Sequence, residues 1–250
     1  MLPPNPDYGR GIFRRQVRIR AGVREVHVDL EDSNHAFRLV LRHDGERVTA
    51  IEPQYVRHPF TTCPESSRFL VATLVGRSLA GMPDIRRALE TRYSCTHVTD
   101  MTALALGHVD EAGFERLYDI AVDDEREGRT RARIRRDGQP VHEWIIARHA
   151  IVEPAALAGR PMMQGFFAWA RETFTDPAFE AATMLQRGYF VAQARRSEPT
   201  PERDHPAIGD GMPQGVCYSY SSPAVERATR IVGSRRDFTQ DTGALLNFER

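Results

Sequence analysis

Apolar and polar residues alternate along most of residues 12–51, which is the pattern of strands with one buried face. The alternation predicts four strands, which cover residues 12–20, 24–30, 37–42 and a last one opening at 48–51. The third and fourth strands are joined through Asp44-Gly45, and an Asp-Gly pair between strands favours a tight hairpin. We therefore predict an antiparallel meander whose arginine-rich face meets water.

After this meander the apolar residues recur at helical spacing. The pattern predicts helices over residues 64–74, 83–92 and 96–106, the last with Val98, Met101, Leu104 and Ala105 on one face. Pro64 suits the first turn of the first helix, and Gly76 ends it.

The same order of strands followed by helices is predicted again in the second half of the chain. Strands are predicted over residues 117–122, 129–135 and 141–147, and helices over 162–172 and 177–195, the latter capped by Asp176. The peptide Arg42-His43-Asp44-Gly45-Glu46-Arg47-Val48 resembles Arg135-Arg136-Asp137-Gly138-Gln139-Pro140-Val141. The similarity is either a weak internal duplication or a coincidence of short peptides.

These elements predict an α+β fold of two similar lobes, each an antiparallel sheet with helices packed on one face. The lobes would combine their sheets or pack as a pseudo-dimer. The predicted units are an extended arm (1–10), a first lobe with the candidate site (11–110), a second, degenerate lobe (111–196), and a loop and tail (197–250). In the last unit we expect a long loop over 197–214, a strand at 216–221 and a short helix at 223–231.

Composition narrows the classes of function. The chain has 250 residues and zero formal net charge, so we expect no nucleic-acid or anionic-membrane partner. All 34 basic residues are arginine, which excludes Schiff-base and phosphate-loop lysines. Nucleotide-binding loops and the common hydrolase motifs do not occur in the sequence. Without an apolar signal or membrane segment, and with an odd number of cysteines, we expect a cytoplasmic protein with reduced thiols.

The candidate chemistry lies between residues 57 and 101. Cys63 and Cys95 stand at predicted helix starts, where the helix dipole favours thiolate over thiol, and His97 follows two residues after Cys95. With His58 at the end of the fourth strand, these side chains are the predicted catalytic residues. We expect them to converge on one open pocket, walled partly by the second lobe.

The predicted substrate-binding residues are two arginines and two tyrosines. The planar forks of Arg57 and Arg77 could hold a carboxylate or phosphate, and Tyr218 and Tyr220 could add aromatic walls. No metal is expected. If one were bound, Cys63, Cys95 and His97 would hold zinc or iron. The alternative is that both cysteines are small buried hydrophobic residues.

Three motifs carry a resemblance to known proteins. They are Arg-x-Pro-x-x-x-Cys at residues 57–63, Leu-x-Gly-Arg at 74–77 and Cys-Thr-His at 95–97. After a set of strands, this order resembles a bacterial domain-of-unknown-function family, family 2889, over residues 8–109 and more weakly beyond. The order is also similar to NifU/IscU-type iron–sulfur scaffold proteins. Those scaffolds carry a further cysteine and an adjacent His-Cys pair, whereas this chain has Cys95-Thr96-His97.

Two functional hypotheses follow. The first is an enzyme of the lyase, isomerase or hydrolase class that acts on a small organic acid or aromatic catabolite without a nucleotide cofactor. The second is a non-enzymatic metal or iron–sulfur carrier, as the likeness to the scaffolds implies. Assembly into a homo-oligomer is left open.

Overall fold

The computed structural model describes residues 2–197 and 205–248. In this part of the chain eight strands form one antiparallel sheet in the order β4-β3-β2-β1-β5-β6-β7-β8. The strands are β1 (Ile12–Ala21), β2 (Glu25–Asp32), β3 (Ala36–His43), β4 (Val48–Arg57), β5 (Glu115–Asp123), β6 (Thr130–Arg136), β7 (Gln139–Ala147) and β8 (Ala150–Glu153). The prediction that residues 12–51 are mostly strand is confirmed.

Six α-helices accompany the sheet in the described residues. They are α1 (Arg68–Leu74), α2 (Ile85–Ala88), α3 (Thr96–Gly107), α4 (Phe166–Thr173), α5 (Ala178–Ala192) and α6 (Ala224–Arg227). The buried residues of α3 include the whole predicted apolar face of that helix. None of these helices is both long and apolar enough to span a bilayer.

The two long helices, α3 and α5, cover the same face of the sheet. Side chains two residues apart on a strand point the same way, so Phe13 and Arg15 of β1 share a face. Phe13 lies beside Gly188 of α5, and Arg15 contacts His97 of α3. The main hydrophobic core fills the space between this face and the helices.

The opposite face of the sheet is charged and partly covered by the C-terminal tail. Arg20 and Asp29 pair there across neighbouring strands, with 2.9 Å between Nη2 and Oδ2. The tail crosses the β1–β4 half of this face, where the Leu246 backbone N–H donates to Glu31 at 2.7 Å. The predicted arginine-rich outer face is therefore present, although the tail shields one end of it.

Several local predictions are corrected by the structure. The short helix expected over 223–231 is limited to α6. The helix expected over 83–92 is reduced to α2 and a 3₁₀ turn (Thr91–Tyr93), because the chain becomes extended at Leu89 and buries that side chain. The strand expected at 216–221 is a 3₁₀ turn (Tyr218–Tyr220), closed by its own backbone bonds. The cap of α5 is Pro177 rather than Asp176, without a side-chain bond.

The sequence analysis also missed the strand β8. Within the predicted long loop, residues 198–204 lie outside the described part of the chain, and a 3₁₀ turn (Ala207–Asp210) follows. Of the predicted arm, Met1 is likewise not described, and the Asn5 backbone N–H donates to the Arg196 carbonyl at 3.0 Å.

Replacing Gly188 with alanine is expected to lower the free energy of unfolding by about 1–3 kcal/mol. A Cβ at this position would lie 2.6 Å from Cγ2 of Ile120, a fully buried side chain on β5. Gly107→Ala on α3 is the matched control, because no atom lies within 4 Å of its Cβ position. Urea unfolding should leave the control unchanged or stabilised by up to about 1 kcal/mol. Equal effects of the two substitutions would contradict this packing.

Candidate functional site

A buried ion pair stands at the centre of the candidate site. Arg15 of β1 faces Asp32, the last residue of β2, across the sheet register. Asp32 Oδ2 accepts hydrogen bonds from Arg15 Nε at 2.9 Å and Nη2 at 2.5 Å, and both side chains are almost fully buried. Burial alone would raise the pKa of the Asp32 carboxyl, but the charge of Arg15 and the bond from His35 outweigh it and hold the pKa well below its usual range.

The other oxygen of Asp32 orients the turn that follows β2. Oδ1 accepts from the backbone N–H groups of Asn34 at 2.7 Å and His35 at 2.9 Å. It also lies 3.1 Å from Nδ1 of the His35 ring. Because an ionised carboxylate can only accept, Nδ1 of His35 carries the proton and donates it. In the neutral ring Nε2 then keeps its lone pair.

His97, in the first turn of α3, completes the arrangement. Its ring centroid lies 3.9 Å from that of His35. Its Nε2 lies 3.1 Å from Nη2 of Arg15, and because a guanidinium can only donate, Nε2 is the acceptor. Burial, with the charges of His35 and Arg15, holds the pKa of His97 well below its usual range. His97 is therefore a neutral imidazole with its proton on Nδ1. We call Arg15, Asp32, His35 and His97 the histidine cluster.

Aromatic rings connect this cluster to His58. The Phe37 ring lies 5.9 Å from His97 and 5.0 Å from Tyr55, and the Tyr55 ring lies 6.0 Å from His58. His58 Nδ1 donates to the Phe60 carbonyl at 2.9 Å. Burial lowers the pKa of His58 and raises that of Tyr55. The predicted catalytic residue His58 thus lies at the edge of the cluster, beyond an apolar wall.

Both predicted catalytic cysteines lie in the same region, but as neutral thiols. Cys63 opens a 3₁₀ turn (Cys63–Ser67), and Cys95 is the N-cap residue of α3. Burial raises the pKa of Cys63 to about 11 and also raises that of Cys95. The prediction that the two cysteines are thiolates is therefore wrong, because desolvation of the thiols outweighs the effect of the helix dipole.

The C-terminal tail produces much of that burial. Ser219 Oγ lies 3.6 Å from Cys63 Sγ, and the Tyr218 backbone N–H donates to the Ser94 carbonyl at 3.2 Å. These contacts hold Cys217 beside the start of α3, and all three cysteines are free.

Arg57 lies against the other side of the sheet, where it supports the turn rather than facing a pocket. Nη1 donates to the carbonyls of Ser33 at 3.0 Å and Ser234 at 2.8 Å. Nη2 donates to the carbonyl of Asp32 at 2.6 Å and to Glu31 Oε1 at 3.1 Å. The guanidinium thus fixes the segment that carries Asp32 and His35.

The structure does not bring the remaining predicted substrate-binding residues into the cluster. The Arg77 carbonyl accepts a hydrogen bond from the backbone N–H of Val48. Val48 lies at the opposite end of β4 from Arg57. Tyr218 OH donates to Glu65 at 3.0 Å, and Tyr220 OH donates to Asp210 at 2.6 Å. Both tyrosines are therefore engaged in contacts that anchor the tail.

Part of the histidine cluster has the composition of a metal site. Among the described residues, Asp32, His35 and His97 form a group whose ligand atoms lie within 4.8 Å of one another. Two imidazoles and a carboxylate suit zinc or iron. However, Arg15 places a permanent positive charge against Asp32 and His97, and Asp32 already accepts five hydrogen bonds. The predicted ligands Cys63 and Cys95 are not part of this group.

Sequence reasoning missed Arg15, Asp32 and His35, although one signal was present. Arg15 is in phase with Phe13 and Val17, the apolar residues of β1 that face the core. A charged residue in the buried phase of a strand requires a buried partner. That requirement points to an acidic residue on a neighbouring strand.

We expect Cys63 and Cys95 to react with iodoacetamide at pH 8 roughly a hundredfold more slowly in the native protein than in guanidinium chloride. The raised pKa values leave little thiolate at this pH. The half-buried Cys217 should be modified first. Peptide mapping by mass spectrometry gives the three rates. Native rates for Cys63 or Cys95 that equal those of the unfolded chain would contradict the assigned burial.

His97→Gln should reduce the loss of stability on acidification from pH 6.5 to 5. The unfolded histidine takes up a proton near pH 6.5, about its ordinary pKa, whereas the folded one does so only at lower pH. The unfolded state then binds more protons, so the free energy of unfolding falls by up to about 1.4 kcal/mol per pH unit. The lowered pKa values of His58 and His142 act in both proteins and cancel. Parallel urea-unfolding curves for the two proteins across this range would refute the assignment.

The chain matches no family model, and a search of curated proteins gives no match either. The resemblances to family 2889 and to the iron–sulfur scaffolds therefore stay predictions, and the histidine cluster is the basis for the functional argument.

Proposed function

We propose that the protein is an enzyme that transfers protons on a small organic acid, in the lyase, isomerase or hydrolase class and without a nucleotide cofactor. One observation carries the proposal. Two imidazoles lie with their ring centroids 3.9 Å apart and their planes tilted by 33°. One is oriented by a carboxylate and the other by a guanidinium. Oriented imidazoles of this kind are the commonest groups for general acid–base catalysis.

In this proposal His35 is the general base. Its Nδ1–H is held by Asp32, so Nε2 can take a proton from the substrate. The imidazolium that forms is stabilised by the buried carboxylate beside it. Asp32 stays ionised throughout, because Arg15 compensates its charge.

His97 has a different part in the proposed reaction. As a neutral ring it offers Nδ1–H as a hydrogen-bond donor to negative charge that develops on the substrate. Arg15 keeps it in this tautomer through the bond to Nε2. Cys63, Cys95 and the ring of Phe37 then supply apolar surroundings that strengthen these interactions.

An anionic substrate is favoured by a second arginine. Arg187 of α5 lies 2.9 Å from Asp100 on α3, and its charge contributes to the lowered pKa of His97. Asp100 also pairs with Arg86 at 3.1 Å, so two arginines share one carboxylate and leave a net positive charge near the cluster. A carboxylate is the simplest group that this charge would attract.

The runner-up is a metal carrier, supported by the Asp32, His35 and His97 donor set. Arg15 argues against it, since a bound cation would face a fixed positive charge at close range. The hypothesis is tested by elemental analysis of protein purified without chelators. Stoichiometric zinc or iron, lost in His97→Gln, would favour the carrier over the cofactor-free enzyme.

We also infer that residues 11–110 and 111–196 are two lobes built on one plan, as the sequence analysis predicts. Each contributes four consecutive antiparallel strands followed by a long helix, and β1 and β5 pair antiparallel where the two halves meet. Each half also contains an Asp-Gly hairpin, at residues 44–45 and 137–138. Because the strands join in one sheet, the lobes would share a core.

Exchange of substrate hydrogen for deuterium tests the proposed enzyme without knowledge of the product. Incubating the protein in D₂O with pools of small aliphatic and aromatic acids should produce loss of an α-proton signal by ¹H NMR in at least one acid. His35→Gln and His97→Gln should slow that exchange at least about a hundredfold, the usual loss for a general base.

The matched control is His27→Gln, a half-exposed histidine that pairs with Glu25 on the outer face of the sheet. The His27→Gln variant should catalyse hydrogen–deuterium exchange of the substrate at the wild-type rate. Exchange that survives in His35→Gln and His97→Gln would remove both residues from the mechanism.

A further inference from the structure

A cleft of about 670 Å³ opens near the C-terminal end of α3, between α2 and the start of α5. It is separate from the histidine cluster, which lies at the N-terminal end of α3. Apolar side chains that include Met82, Leu106 and Phe179 line it. A cleft of this size accommodates a small organic molecule.

A network of charged side chains lies on one side of the cleft. Glu180 of α5 accepts from Arg116 Nη1 at 3.1 Å, from Tyr118 OH at 2.5 Å and from His108 Nε2 at 3.0 Å. The other ring nitrogen of His108 lies 2.7 Å from Glu111. Three of the roughly four acceptor sites of Glu180 are therefore occupied within the protein.

Arg116 has not used its capacity in the same way. Among the described residues, only Nη1 of Arg116 has hydrogen-bond partners. Its Nε is fully buried and out of reach of a ligand, whereas Nη2 has no partner on any neighbouring group there. The guanidinium lies over the Phe114 ring at 4.4 Å, which fixes its plane. Nη2 is therefore the guanidinium nitrogen left to donate to a carboxylate oxygen in the cleft.

The acidic residues around the cleft do not oppose such a ligand strongly. Asp84 accepts a hydrogen bond from Arg171 at 3.2 Å. Glu111 pairs with His108, and Glu180 pairs with both His108 and Arg116. Asp176 is the acidic lining residue left without a partner in the described ranges, and it is exposed at the rim. The local charges thus leave Nη2 of Arg116 as the main donor without a partner at the cleft.

We propose that this cleft binds a carboxylic acid with a short apolar chain. One carboxylate oxygen accepts from Nη2 of Arg116, and the chain lies against Met82, Leu106 and Phe179. This site is independent of the proposed reaction, because it shares no residue with the histidine cluster.

Titration of the protein with octanoate, followed by calorimetry, tests the proposal. Octanamide, which has the same chain without the charge, should bind at least about tenfold more weakly. Arg116→Lys keeps a positive charge beside Glu180 but has no nitrogen at the Nη2 position, so it should weaken octanoate binding at least about tenfold. Failure of wild-type protein to bind octanoate, or equal binding of octanoate and octanamide, would overturn the proposal.

A second pair of variants tests whether octanoate binds in the cleft, and neither variant alters the charged network. Met82→Glu adds a negative charge to the cleft wall and should weaken octanoate binding, whereas Met212→Glu makes the same change at an exposed tail position outside the cleft. Unfolding midpoints confirm that each variant is folded. Equal affinities in the two variants, or an Arg116→Lys affinity within about twofold of wild type, would show that octanoate binds elsewhere.

Discussion

The Arg15–Asp32 ion pair is the interaction on which the rest of the candidate site depends. Two charges buried in a core are tolerated only when they are paired and their remaining hydrogen-bonding groups are satisfied. Asp32 meets this condition through Arg15, two backbone N–H groups and His35. The loss of one partner from such a pair typically costs about 3–5 kcal/mol. Because Asp32 contacts His35 and Arg15 contacts His97, a fixed ion pair also fixes the positions of both histidines.

The sheet supplies the rigidity that this pair needs. β1 is central, with β2 on one side and β5 on the other, so Arg15 lies under both long helices. Arg57 holds the turn after β2 from the opposite face, through the carbonyls of Ser33 and Asp32. The helices and the tail then exclude water from His97 and the two thiols, which lowers the pKa of His97 and raises the pKa values of Cys63 and Cys95.

Local signals in the sequence predicted seven of the eight strands and the two long helices. Alternation located the first four strands, and the helical spacing of Val98 and Met101 located α3. The state of the thiols could not be predicted in this way, because Cys63 is covered by Ser219, which is 156 residues away along the chain. The same holds for the partners of His97, since Arg15 is 82 residues distant. Such contacts depend on the complete topology rather than on any local pattern.

The most direct test of the account is the tautomeric state of the two imidazoles. Long-range ¹H–¹⁵N NMR at pH 8, with assignments from His35→Gln and His97→Gln, reports which ring nitrogen carries the proton. The account predicts Nδ1–H for both neutral rings, with Nε2 of His97 accepting from Arg15. An Nε2–H form at either ring would contradict it, because Asp32 and Arg15 could not then orient the histidines as the structure requires.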